Sequence, residues 1–147
     1  MNNGFLGFSP VLPIFPKNSV AYQVAVHTIS TGNGTRINFE VINSDEENCI
    51  TIGSGVWRYT VKHCGYYAIS WQIGIQSGVE MWSRLYINNV AAIRNTHSGV
   101  TTSWNSVQGV WYGYLQAGDI VYVVGISASG TPNTVADWTW INFLFIR

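Results

Sequence analysis

The chain has 147 residues, enough for one domain with a core of its own, and its formal net charge at pH 7 is zero. With no basic stripe, nucleic-acid binding is disfavoured, and no apolar run approaches the ~18 residues of a membrane helix. Charged residues are 10% of the chain while apolar residues are 47%, a balance that leaves a lone soluble chain with apolar surface to cover and so favours an assembly.

In chain order, residues 1–19 stand apart. Pro10, Pro13 and Pro16 break helices and forbid a central strand, yet Phe5, Phe8, Leu12 and Phe15 are apolar. The segment is expected to be an extended arm lying on its own domain, a neighbouring copy or a larger particle. It lacks a basic stretch ahead of its apolar part, so no export signal is expected. The compact domain is expected over 20–147. Strands are predicted at 21–29, 35–42, 49–52 and 56–61, with Ile37, Phe39 and Val41 sharing one face of the second. A long strand follows at 66–75. Residues 81–87 and 90–94 form a hairpin about Asn88-Asn89. Residues 95–105 read as a polar loop carrying Trp104, and strands return at 106–115, 120–126 and 138–147. Nine or ten short strands with steady turn signals and no helical periodicity imply an all-β sandwich or jelly roll.

The last strand carries the main constraint. Trp138, Trp140, Asn142, Leu144 and Ile146 alternate with Thr139, Ile141, Phe143 and Phe145, so both of its faces are apolar and both need a cover. Strand 66–75 has the same character. One face can meet the domain's own core. The other is expected to meet further copies of the chain.

Four pieces in order then resemble the globular domain of the complement component 1q and tumour necrosis factor superfamily. They are Gly55-Val-Trp57 followed by Gly65-Tyr-Tyr67, the hairpin at Asn88-Asn89, the turn Leu115-Gln-Ala-Gly-Asp119-Ile-Val121, and the closing run Trp140-Ile-Asn-Phe-Leu-Phe145. The resemblance covers about residues 20–147. It departs in having no collagen repeat ahead of the domain and in carrying Asn142 where the family usually has Gly. The resemblance implies a ten-stranded jelly roll and a tight homotrimer with the closing strand near the threefold axis. Tyr67, Trp71, Tyr112, Tyr114, Ile141, Phe143 and Phe145 are the residues expected at that interface.

Little points to chemistry. Asp119 in its Gly-Asp turn is expected to cap backbone N–H groups. Asp45, Glu46 and Glu47 read as a solvated loop rather than a calcium site. His27, His63 and His97 are scattered without a nearby carboxylate pattern, and neither a nucleophile elbow nor a phosphate loop is present. No catalytic residue, metal or cofactor is expected. Cys49 and Cys64 read as two free, mostly buried thiols. A ligand site is expected at Trp104 with Asn95, His97 and Asn105, an aromatic ring with amide neighbours that suits a cell-surface glycan. The functional reading is a non-enzymatic virion protein, such as a phage capsid decoration, head fibre or receptor-binding knob, held to a larger protein assembly by its arm. The alternative is a secreted or surface module that recognises a glycan or receptor.

Overall fold

A computed structural model describes residues 17–23, 25–32, 34–46, 50–51, 58–76, 79–98 and 104–146, and of 17, 18, 22, 50, 51 and 94–98 it describes the backbone alone. The arm residues Phe5, Phe8, Leu12 and Phe15 lie outside the described residues. Among those described there are twelve strands and no helix: β1 Lys17–Tyr22, β2 Thr35–Arg36, β3 Val41–Asp45, β4 Ile50–Thr51, β5 Arg58–Thr60, β6 Gly65–Gln76, β7 Met81–Ile87, β8 Val90–Ser98, β9 Asn105–Leu115, β10 Ile120–Ser127, β11 Asn133–Thr134 and β12 Trp140–Phe145. The jelly-roll sandwich is therefore present, its strand number raised by three two-residue fragments, β2, β4 and β11.

All ladders are antiparallel. The first sheet runs β9-β6-β12-β1-β3, with β11 at the far end of β6, and the second runs β8-β7-β10-β5-β4, with β2 also on β10. Strand β1 begins at Lys17, ahead of the expected domain start at Val20, because it pairs along its whole length with β12. The strand expected at 35–42 is broken. Thr35–Arg36 pairs with β10 in the second sheet and Val41 with β1 in the first. Between them the chain crosses from sheet to sheet, and Ile37 and Phe39 drop into the core on the way. The expected polar loop is shorter at its start, because β8 runs on to Ser98.

The core lies between the sheets. Tyr67, Ile69, Trp71, Ile73, Ile141 and Phe143 come from the first, and Tyr59, Met81, Leu85, Val121 and Val123 from the second. Burying each of the large side chains favours the sandwich by about 2–3 kcal/mol. Tyr59 stacks on Phe143 at 3.8 Å between centroids. The Trp71 indole N–H donates to Ser83 Oγ at 2.9 Å, so the one polar atom of that buried ring is paired across the two sheets. Gly109 stands opposite Trp71 in register, and a Cβ there would come within 2.0 Å of the indole. Only glycine lets β9 pass beneath that ring.

This packing corrects the interface expectation. Tyr67, Trp71, Ile141 and Phe143 are buried in the chain's own core, and Phe145 packs against it with its ring 5.0 Å from that of Tyr67. Alternation then turns Tyr66, Ala68, Ser70, Trp140, Asn142 and Leu144 outward. The sequence had marked both faces as apolar and could not say which one meets the second sheet.

Candidate binding surfaces

Three surfaces follow from this frame. The first is the outer face of the first sheet. Its strands β6, β9 and β12 contain no charged residue. Tyr66, Val110, Tyr112 and Tyr114 project from it, between 47% and 67% exposed. Tyr66 stacks on Tyr112 at 5.7 Å and meets Tyr114 edge-on at 5.5 Å. Tyr66 is opposite Tyr114, Ala68 opposite Tyr112 and Ser70 opposite Val110, so the rings form one continuous patch along two strands. Asn142 Oδ1 is enclosed on the adjacent strand without a hydrogen-bond partner. Tyr112 and Tyr114 of the expected interface are on this face.

The second is a cleft of about 390 Å³ lined by Trp104, Trp138, Val26, Gln76 and residues 134–137. The two indoles meet edge to face with centroids 5.6 Å apart, and both are about half exposed. Trp138 is held by the chain around it. Gln72 Nε2 donates to its carbonyl at 2.9 Å, and the Val135 N–H donates to the Gly74 carbonyl at 2.8 Å. Buried Thr139 Oγ accepts from the Gly74 N–H and donates to the Val135 carbonyl. A Cβ on Gly74 would lie 2.6 Å from that of Trp138. Trp104 therefore does sit in an aromatic cleft, but its companions differ from those expected. Asn95 and His97 lie on β8 in the second sheet, where His97 is in register with Trp82, and their side chains fall outside the described residues. Asn105 is not part of the lining; its Oδ1 accepts from the Ser106 N–H. Trp138 was missed because it read as the first residue of the closing strand. Asp137, at φ 62°, turns the chain just ahead of it, and β12 starts only at Trp140.

The third is a pair that sequence distance concealed. His27 Nε2 and Glu40 Oε1 form a hydrogen-bonded pair, which corrects the expectation of no carboxylate near the histidines. His27 borders a cavity of about 250 Å³ with Gln23, Asn38 and Thr134. The pair ties the segment after β1 to the crossing before β3. Elsewhere, Cys64 is free but exposed, with its Sγ accepting from the Ala117 N–H at 3.4 Å, and Cys49 lies outside the described residues. Ser19 Oγ donates to Asp45 at 2.9 Å. Asp119 Oδ2 caps the Gln116 N–H at 2.8 Å as its turn predicts. Among the described residues no group of three His, Cys, Asp or Glu is gathered for a metal, and no helix could cross a membrane.

Neither a family model nor a curated protein matches the chain. Solved structures do. The globular domain of zebrafish complement 1qA superposes with a TM-score of 0.67 at 15% identity, covering 88% of this chain and 97% of that one. Murine APRIL gives 0.63 at 16% identity, with 88% and 100% covered, and Eiger TNF from S. frugiperda gives 0.59 at 12%, with 90% and 93% covered. The chain has the complement component 1q and tumour necrosis factor-like fold.

Proposed function

We propose, taking that fold as the premise, that the chain is a non-enzymatic recognition module that works as a homotrimer outside the cell. The observation that carries this is the uncharged tyrosine face of β6 and β9, which a free chain would leave in water. Three copies meeting through that face cover it and carry three Trp104–Trp138 clefts, each at the end of β6 and β9 opposite Tyr66 and Tyr114. A pair of indoles with Gln76 and Asp137 beside them suits a sugar, whose apolar face stacks on a ring while its hydroxyls take the polar neighbours. The fold supports this reading over the virion one. The arm on which a virion role would rest lies outside the described residues.

A panel of immobilised neutral glycans tests the proposal. Wild-type protein is expected to retain at least one glycan, and Trp104→Ala to lose it. Tyr112→Asp, which places a charge in the shared face, is expected to weaken retention by about a hundredfold through loss of multivalency alone. Retention that ignores both substitutions contradicts the proposal.

A further inference from the structure

The outer face of the second sheet has the opposite chemistry to the tyrosine face. The six strands β2, β4, β5, β7, β8 and β10 contain Arg36, Arg58, Arg84 and Arg94 and not one Asp or Glu. That is four of the chain's seven Lys and Arg residues on one sheet of a neutral protein. Arg36, Arg58 and Arg84 have no carboxylate partner among the described residues. The Nε atoms of Arg58 and Arg84 are enclosed without any hydrogen-bond partner. A guanidinium group on this face with no carboxylate partner is suited to the oxygens of a sulfate or carboxylate, which its planar fork can meet two at a time.

Aromatic rings adjoin these arginines. The Arg36 guanidinium lies 3.8 Å above the centre of the Tyr122 ring. Tyr122 stacks with Tyr86 at 5.1 Å with the planes 1° apart, and its hydroxyl donates to Asn89 Oδ1 at 3.1 Å. Val124 is in register with Arg36 on one side and Arg84 on the other, so the two arginine backbones are two strand spacings, about 10 Å, apart. Beside Arg84 lies a shallow hollow of about 430 Å³ floored by Trp82, Ile126 and Ser127. A stacked tyrosine pair thus lies beside the row of Arg36, Val124 and Arg84 over the middle of the sheet.

From this we infer that the second sheet's outer face binds an anionic polysaccharide, one carrying sulfate or carboxylate groups. Its sugar rings lie on Tyr86 and Trp82, and its anions meet Arg36 and Arg84, with Arg58 beyond them. An acidic peptide fits less well. Strands β7 and β10 are paired on both sides, so they offer no open edge for strand addition. A nucleic acid would want a longer basic stripe than this neutral chain has. The site is on the side of the sandwich away from the tyrosine face, so it stays open in the assembly, and it stands independently of the neutral-sugar cleft.

Sulfated dextran is the probe, with unsulfated dextran as the neutral control, titrated calorimetrically at about 50 mM and about 300 mM salt. Binding is expected only for the sulfated polymer and is expected to weaken with salt. The double substitution Arg36→Ala with Arg84→Ala is expected to lower affinity by about tenfold or more. Arg84→Lys, which keeps the charge without the planar fork, is expected to fall between. Trp104→Ala is expected to change nothing here, which separates this site from the cleft. Light scattering and circular dichroism on each variant verify mass and fold. The inference is overturned if sulfated dextran does not bind at the lower salt, or if folded double variant binds as wild type does. It is overturned equally if polyglutamate or oligothymidylate competes as strongly as the sulfated polymer.

Discussion

Trp71 and Gly109 show how single residues set this sandwich. The indole is fully buried and its N–H is taken by Ser83 from the other sheet. Its ring fits only because β9 presents no Cβ beneath it. Gly109→Ala is therefore expected to destabilise the protein by about 1–3 kcal/mol through overpacking, read as a lowered urea midpoint with an unchanged slope. Ser83→Ala leaves the indole N–H buried without a partner and is expected to cost about 1–3 kcal/mol. A midpoint unmoved by either would mean that the ring does not sit where it is described. The tryptophan was legible in the sequence as a strand residue. The need for glycine opposite it was not, since Gly109 and Trp71 meet only through the register of two strands far apart in the chain.

At the scale of elements, the β7–β8 hairpin is the best-marked piece. Asn88 and Asn89 have φ of 50° and 67°, the left-handed pair that an Asn-Asn turn accommodates. Asn88 does more than turn. Its Nδ2 donates to Asp119 Oδ1 at 2.7 Å and its Oδ1 accepts from the Ile120 N–H at 2.9 Å, which joins this hairpin to the Gly118-Asp119 turn. Asn88→Ala is expected to cost about 1–2 kcal/mol from backbone strain and the lost bonds together. Asn88→Gly should recover the strain component only, so the two midpoints should differ. Other elements were less legible for a physical reason. Alternation in 35–42 predicts one strand, but a chain crossing between two sheets buries alternate residues just as a strand does, as Ile37 and Phe39 show. Residues 95–98 are polar and read as loop, yet β8 continues through them on backbone pairing to β7, which asks nothing of hydrophobicity. The Trp104 cleft was half visible for the same reason: the lone indole in a polar stretch stood out, while Trp138 was hidden in an aromatic-rich run.

For the whole molecule, the two outer faces differ in chemistry in a way that composition only hinted at. The scarcity of charge pointed to a covered surface, and the alternation of β6 and β12 showed that both faces of those strands are apolar. Which face meets the core depends on how the sheets pack, and four of the seven residues expected between copies, Tyr67, Trp71, Ile141 and Phe143, are buried in the chain's own core. What remains outward is the uncharged face with Tyr66, Tyr112 and Tyr114, while the cations gather on the opposite sheet. Copies that meet through the first face keep the second in solvent, where the arginines stay available. The solution mass of the wild-type chain by light scattering bears on this most directly. The account predicts a mass about three times the 16.3 kDa chain, with Tyr112→Asp dropping it to a single folded chain. A wild-type protein that runs as a folded monomer, with its tyrosine face in water, would contradict it.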